Sequence, residues 1–146
     1  MMVAFWRQGV AAAVAGWLVC AGSMPAVASE AITNIDAAEA GQLVAAGMPL
    51  IDVRRADEWQ ATGVVAHSHL ITAFNSEPVD AGLSRPHQGR GQAGEPVVII
   101  CRSGNRSSQV ARLLTEQAGF THVYNVAGGI IQWARNGQPL QPCANC

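Results

Sequence analysis

A single cysteine stands between an apolar run and a group of small and basic residues. The segment Pro96–Leu114 reads PVVIICRSGNRSSQVARLL, and Cys101 is the last residue of its apolar part. The backbone N–H groups of a short loop and of the helix that follows it can hold an anion, and they favour the thiolate form of a cysteine placed among them. We therefore expect Cys101 to be a nucleophile in an anion-binding loop.

The residues after this cysteine have the chemistry that such a loop requires. Two arginines supply permanent positive charge, a glycine permits backbone angles that a side chain hinders, and hydroxyl and amide side chains can bond to loop amides or cap the helix. The candidate catalytic residue is Cys101, and the candidate substrate-binding residues are Arg102, Ser103, Gly104, Asn105, Arg106 and Ser107.

The alternative is that Cys101 is an inert core residue. A lone cysteine after a Val/Ile run most often packs as a small apolar side chain. However, the residues directly after Cys101 are polar, which is unexpected where a core strand simply continues.

Two further cysteines, Cys143 and Cys146, form a CxxC motif at the end of the sequence. In an oxidising compartment they could form a disulfide, either as a redox pair that exchanges with a partner thiol or as a passive staple in the tail. We favour the passive role because no βαβ pattern surrounds this motif. A metal bound there would need ligands from another chain, and we expect no metal site.

Segments typical of strands and helices alternate, which predicts a parallel sheet covered by helices. The predicted strands are 31–35, 49–53, 67–71, 96–101 and 121–126. The predicted helices are 37–47, 55–63, a helix from 106 or 107 to 119, and 130–137. Asp36 is the expected N-cap of the first helix, Gly47 and Gly63 are expected stops, and 74–95 is the least structured segment by composition.

Open parallel sheets bind their ligands at the carboxyl ends of the strands. Cys101 ends the most apolar predicted strand, whose continuous β-branched run is typical of a central strand buried on both faces. The predicted sheet therefore places the candidate nucleophile at its ligand-binding edge.

Residues 1–28 are expected to be a signal peptide. Arg7 is their one charged residue, 9–21 is apolar, and Ala26 and Ala28 form the small-x-small pattern of a cleavage site. This predicts an exported chain that starts near Ser29, in the periplasm if the source is bacterial. The alternative is a membrane anchor through residues 9–28, but the apolar run is shorter than the roughly 20 residues that a spanning helix needs.

The remaining residues, 29–146, suffice for one domain with one core. All nine basic residues of the chain are arginines, and without Arg7 eight of them stand against ten acidic residues. This balance does not favour nucleic acid or an anionic membrane surface as a partner.

Three ordered motifs resemble those of rhodanese-type sulfurtransferases. They are LIDVRRADEWQATGVV at Leu50–Val65, CRSGNRS at Cys101–Ser107, and VYNVAGGIIQW at Val123–Trp133. The resemblance covers about Ile35 to Pro139. It implies an α/β, rhodanese-like three-layer domain with a central, mainly parallel sheet flanked by helices.

The resemblance also implies a thiosulfate sulfurtransferase. Cys101 would take sulfane sulfur from a small anionic donor such as thiosulfate, hold it as a persulfide, and pass it to cyanide or to a thiol, including that of a partner protein. Arg102 and Arg106 would hold the donor. The family's reaction requires no metal or organic cofactor.

The sequence departs from the family pattern after Gly63. The text GVVAHSHL stands where a run similar to GHIPGA is usual, and we interpret His67 and His69 as surface or strand-end residues, not metal ligands. Asp52 and Arg54 match the family, and we expect them to form a structural charged pair that joins a strand to a helix.

Other functions compete with the sulfurtransferase. The first is a persulfide carrier or thiol-redox partner protein without small-molecule turnover, which needs the same loop. A phosphatase or arsenate reductase is less favoured, because those enzymes have a longer loop than the four residues that separate Cys101 from Arg106 here.

Overall fold

Strands and helices alternate along the part of the chain that the computed structural model describes, residues 31–74, 94–144 and 146. The expected signal peptide at 1–28 and most of the predicted loop 74–95 lie outside the described residues. In chain order the elements are β1 (Ile32–Ile35), α1 (Ala37–Ala45), β2 (Leu50–Asp52), α2 (Ala56–Thr62), β3 (His69–Leu70), β4 (Val97–Ile100), α3 (Asn105–Gln117), β5 (Val123–Val126) and α4 (Gly129–Arg135).

The strands form one sheet in the order β1-β5-β4-β2-β3, and every pair is parallel. This confirms the predicted fold class. The strand that precedes the candidate nucleophile, β4, lies in the middle of the sheet, between β2 and β5.

Residues along β4 alternate between two apolar clusters. Val97, Ile99 and Cys101 pack in a cluster that includes the inner face of α3, whereas Val98 and Ile100 pack with residues of α1 and α4. All five side chains are fully buried. A strand covered on both faces must be apolar at every position, which is why this segment lacks the alternation of a half-exposed strand.

The boundaries of α1 and α2 follow from local chemistry. The Asp36 carboxylate accepts a hydrogen bond from the backbone N–H of Glu39 at 2.8 Å, which confirms the predicted N-cap. Gly63 ends α2 with φ +79°, and its N–H donates to the Trp59 carbonyl at 2.9 Å. A Cβ at Gly63 would lie 2.7 Å from the carbonyl oxygen of Gln141, so glycine is required there for space as well as for its dihedral angle.

The observed boundaries differ from the predicted ones by up to two residues, and two of these differences have a clear local cause. Helix α3 starts at Asn105, before the predicted start at 106 or 107, because Gly104 adopts the left-handed conformation (φ +94°) and serves as its N-cap. The third strand contains only two residues, not 67–71. His67 has φ +60°, and the Ser68 N–H donates to the Val65 carbonyl at 3.2 Å, so a turn occupies its predicted start.

The expected charged pair joins β2 to α2. Arg54 and Asp52 form a fully buried ion pair at 2.7 Å. The same guanidinium donates to Thr62 Oγ1 at 2.6 Å and to the Gly63 carbonyl at 2.8 Å, at the end of α2. The structural role predicted for this pair is confirmed, and it fixes α2 beside the carboxyl ends of the central strands.

Among the described residues, no helix combines the length and the apolar character that crossing a membrane requires.

Candidate active site

The loop between β4 and α3 turns sharply at Gly104. A Cβ on this residue would lie 3.1 Å from the Gly128 nitrogen and 3.3 Å from the Val126 carbonyl oxygen. The loop backbone thus requires glycine here both for its positive φ and for its close approach to the end of β5. The turn places the Gly104 amide within hydrogen-bond distance of the Cys101 sulfur.

The Cys101 sulfur lies within hydrogen-bond distance of two donors. The Gly104 N–H donates to Sγ at 3.1 Å, and the Ser107 hydroxyl lies 3.3 Å from Sγ. The Ser107 hydroxyl also lies 3.1 Å from the Gly104 carbonyl oxygen, and since it has one proton it can donate to only one of these acceptors at a time. A negative charge on sulfur would draw that proton toward Sγ. Both side chains are fully buried, and Cys101 is a free thiol.

The turn between β5 and α4 contacts the Cys101 loop through two backbone hydrogen bonds. The Ile130 N–H donates to the Cys101 carbonyl at 2.8 Å, and the Ile131 N–H donates to the Arg102 carbonyl at 3.3 Å. Gly129 has φ +56°, and a Cβ there would collide with the carbonyl oxygen of Cys101. The sequence places this segment in the third resembling motif, but it was not among the candidate site residues.

Arg106 is held by a carboxylate from α2. Its Nη1 and Nη2 donate to the two oxygens of Glu58 at 2.7 and 2.6 Å. These hydrogen bonds from Arg106 hold the pKa of Glu58 at about 2, although burial opposes the shift, and a hydrogen bond from the Arg55 N–H contributes. The pKa of Arg106 is raised, chiefly by the hydrogen bond to Glu58 and also by the charges of Cys101 and Asp52. The pair fastens α2 to the start of α3.

Sequence reasoning did not single out Glu58. The residue lies inside the first resembling motif, but its partner is 48 positions away along the chain. Helical or strand spacing cannot predict such a contact, because it depends on how α2 packs beside α3.

The remaining candidate binding residues are exposed around the loop: Arg102, Ser103 and Asn105. Within the described residues, no carboxylate lies within ion-pair distance of Arg102. The structure thus brings Gly104 and Ser107 to the sulfur of Cys101. It places Arg106 in an ion pair with Glu58. The binding roles of these residues stay predictions.

The terminal cysteines lie elsewhere on the molecule. Cys143 and Cys146 are joined by a disulfide. The tail is held on α2 and the segment after it, since Gln60 Nε2 donates to the Cys146 carbonyl at 3.0 Å and Val64 forms an antiparallel bridge with Gln141. Over residues 31–74, 94–144 and 146, no hydrogen bond links this tail to the Cys101 loop.

Comparisons with known proteins agree with this geometry. The profile of the rhodanese-like domain family matches residues 36–136. The chain is 34% identical over 118 residues to a thiosulfate sulfurtransferase, GlpE, from Actinobacillus pleuropneumoniae, and the match covers 77% of this chain and 96% of the relative.

Two solved structures share the fold. A rhodanese-related protein from Thermoplasma volcanium is 28% identical with a TM-score of 0.56, over 74% of this chain and 96% of that chain. A 30 kDa polysulfide-sulfur transferase homodimer from Wolinella succinogenes has a TM-score of 0.61 over 79% of this chain and 82% of its own. Its identity of 24% shows likeness of fold alone.

Proposed function

This chain belongs to the rhodanese-like domain family, and on that premise we propose that it is a sulfurtransferase that carries sulfane sulfur on Cys101. The observation that carries the proposal is the environment of one atom. The Cys101 Sγ lies at the start of a tight loop, where a backbone amide and a buried hydroxyl both meet it. A cysteine that only fills the core needs no polar groups placed against its sulfur, whereas here a buried amide and a buried hydroxyl both lie there.

The first step loads the cysteine. The Cys101 thiolate attacks the outer sulfur of a donor such as thiosulfate, a new S–S bond forms, and the bond inside the donor breaks. The electron pair of that bond leaves with sulfite, so the protein holds a persulfide with one negative charge. The Gly104 amide and the Ser107 hydroxyl stabilise the attacking thiolate, and the amino end of α3 stabilises the persulfide anion.

The second step unloads it. A nucleophile such as cyanide or a thiolate attacks the outer sulfur of the persulfide, the bond to Sγ breaks, and its electron pair returns to Cys101 as thiolate. The products are thiocyanate or a new persulfide. Splitting the transfer into two displacements gives each step an accessible barrier, and the balance of electrons calls for no oxidant.

The burial of the sulfur limits how a donor approaches. Cys101 is 0% exposed, so the loop must yield when a donor binds. A donor can reach Sγ with a small terminal sulfur while its larger anionic group stays among the exposed residues of the loop. This geometry favours donors with a terminal sulfane sulfur.

The proposal is tested by the intact mass of the protein before and after incubation with thiosulfate. We expect the mass to increase by one sulfur atom, the Cys101→Ser variant to gain none, and cyanide to remove the sulfur as thiocyanate. Sulfur that loads but is removed neither by cyanide nor by small thiols would favour a persulfide carrier instead. A folded protein with a free Cys101 that gains no sulfur from thiosulfate or other sulfane donors would contradict the proposal.

A further inference from the structure

The two arginines of the active-site loop differ in what surrounds them. Arg106 uses both terminal nitrogens to bind the two carboxylate oxygens of Glu58, at 2.7 and 2.6 Å. Arg102 is exposed, and no described carboxylate lies within ion-pair distance of it. Over the described residues, Arg102 is therefore the loop arginine left to meet an anion.

Both members of the Arg106–Glu58 pair are charged at neutral pH. The carboxylate of Glu58 has a pKa of about 2, so it is ionised at any pH at which the protein would be assayed. The side chains are 26% and 15% exposed, which weakens solvent screening of their attraction. A two-pronged pair between a guanidinium and a carboxylate is among the stronger charge-assisted contacts in proteins.

Among the described residues, the charges of Cys101, its two loop arginines and Glu58 sum to zero once the Cys101 thiolate forms. The thiolate and Glu58 each contribute one negative charge, and Arg102 and Arg106 each contribute one positive charge. The neighbouring charged groups that the structure describes also have partners: Asp52 pairs with Arg54, and Arg55 pairs with Asp57 at 3.1 Å and lies 3.9 Å from Glu58. Among the described residues, a donor with two negative charges would find one unpaired cation beside Cys101, so its second charge would be poorly compensated.

We infer that Glu58 determines which donors the Cys101 site accepts. By holding Arg106, Glu58 leaves Arg102 as the cation that meets the donor, and the site favours sulfane donors with one negative charge, such as thiosulfonates and organic persulfides, over the thiosulfate dianion. This inference rests on the proposed sulfurtransferase function and adds the class of its substrate. Glu58 acts through Arg106 and is a positioning residue.

Thiosulfate and methanethiosulfonate form a matched pair of probes. Both present a terminal sulfane sulfur on a sulfonyl group, and a methyl group in the second replaces a charged oxygen in the first. Cys101 attacks the outer sulfur in both cases, and the electron pair leaves with sulfite or with methanesulfinate. Since the resulting persulfide is the same, its discharge by cyanide is common to both, and a change in donor preference must arise in the loading step.

The test is the ratio of kcat/KM for thiosulfate to kcat/KM for methanethiosulfonate. In Glu58→Gln, Arg106 is released toward the donor, and we expect this ratio to rise at least fivefold, mainly through a lower KM for thiosulfate. In Asp57→Asn, which removes the same charge from an exposed carboxylate one position away, we expect no change. If Glu58 only supports the structure, Glu58→Gln lowers both values by the same factor, and an unchanged ratio overturns the inference.

A second variant keeps the test decisive if Glu58→Gln does not fold. In Arg102→Gln, the inference predicts at least a tenfold fall of the same ratio. Arg106 remains bound to Glu58 in this variant and cannot bind the donor in place of Arg102. An unchanged ratio in this variant would overturn the inference. If the wild-type protein gains sulfur from neither donor, the proposed function falls and the inference with it; if it gains sulfur but the ratios do not move, the inference alone falls.

Discussion

Ser107 differs from the other hydroxyl residues of the loop in its burial and its partner. Its side chain is fully buried and lies within 3.3 Å of Cys101 Sγ, whereas Ser103 is exposed. The next residue along α3, Ser108, directs its hydroxyl to the Asn105 carbonyl at 2.9 Å, away from the sulfur. Two adjacent serines thus have separate roles, and one serves as a control for the other.

We expect Ser107→Ala to slow sulfur transfer by about tenfold to a hundredfold, since a hydrogen bond to a charged group contributes roughly 1.5–3 kcal/mol. The loss should appear in thiocyanate formation and in slower alkylation of Cys101 by iodoacetamide at neutral pH. Ser108→Ala should change neither rate by more than about twofold, because surface hydroxyls contribute little. Equal effects of the two substitutions would exclude a specific role for the Ser107 hydroxyl.

At the residue scale, the sequence predicts the nucleophile better than its surroundings. Cys101 stands out because a polar segment follows an apolar strand without transition. The same local pattern cannot separate Ser107 from Ser103, since burial depends on how α3 packs on the sheet. Glu58 is less predictable still, because its contact with Arg106 crosses 48 positions.

At the scale of elements, the Cys101 loop lies between the β5–α4 turn and helix α2. The turn between β5 and α4 lies against one side of the Cys101 loop through the Ile130 and Ile131 amides, and α2 holds the other side through Glu58. The predicted strands and helices are mostly found, because their apolar patterns and caps are local. Their mutual contacts, and the short β3, depend on tertiary packing that local patterns do not encode.

We expect Gly129→Ala to destabilise the protein by about 2–4 kcal/mol and to abolish most sulfur transfer, because its Cβ would collide with the Cys101 carbonyl and the loop would have to move. Urea unfolding and thiocyanate formation measure the two effects. Gly137→Ala is the matched control, since Gly137 has a similar φ of +68° but open space around a Cβ. It should lose about 1–2 kcal/mol and keep its activity. If the two variants lose the same stability and activity, the contact with the loop is unimportant.

The ion pair between α2 and α3 predicts a pH-dependent contribution to stability. Because the pKa of Glu58 is lowered from 4.5 to about 2, its contribution is fully present above pH 4.5 and is lost as the pH falls through 2. We expect Glu58→Gln to be less stable than the wild type by up to about 3 kcal/mol at pH 7, and the gap to narrow by roughly 2 kcal/mol at pH 3. Urea unfolding at both values measures the gap. A gap that stays constant between them would show that the carboxylate charge is not what Arg106 requires.

At the scale of the whole molecule, the tail with its disulfide packs along α2 and is not joined to the Cys101 loop by any hydrogen bond among the described residues. The loop that this disulfide closes is short, with a sequence separation of 3. A short closed loop restricts the unfolded chain little, so its contribution to stability is small.

We expect replacement of both Cys143 and Cys146 by serine to leave sulfur transfer within about twofold of the wild type and to cost less than about 2 kcal/mol of stability. Thiocyanate formation and urea unfolding give these values. The single variant Cys101→Ser, which keeps the CxxC motif, should have no transfer activity at all. A large loss of transfer in the double variant would instead make the terminal pair a participant in the reaction.

Export of the protein is a separate prediction, based on the composition of residues 1–28. When the full chain is expressed in a bacterium, we expect the periplasmic fraction to contain a protein whose mass corresponds to a start near Ser29. Replacing Ala26 and Ala28 by bulky residues should block cleavage and leave the uncleaved chain at the membrane. Full-length protein in the cytoplasmic fraction would contradict the prediction.

The pairing of β1 with β5 also determines when the sheet can be completed during synthesis. Ile32 to Ile35 lie at one edge of the sheet beside Val123 to Val126, and the side chains of Asn34 and Asn125, 91 positions apart, bond across this pair at 2.7 Å. A ribosome that adds 5–20 residues per second needs on the order of 5–20 s to cover that separation. For that time the first strand of the described sheet has no partner, so this edge of the sheet forms only after nearly all of the described chain has been synthesised.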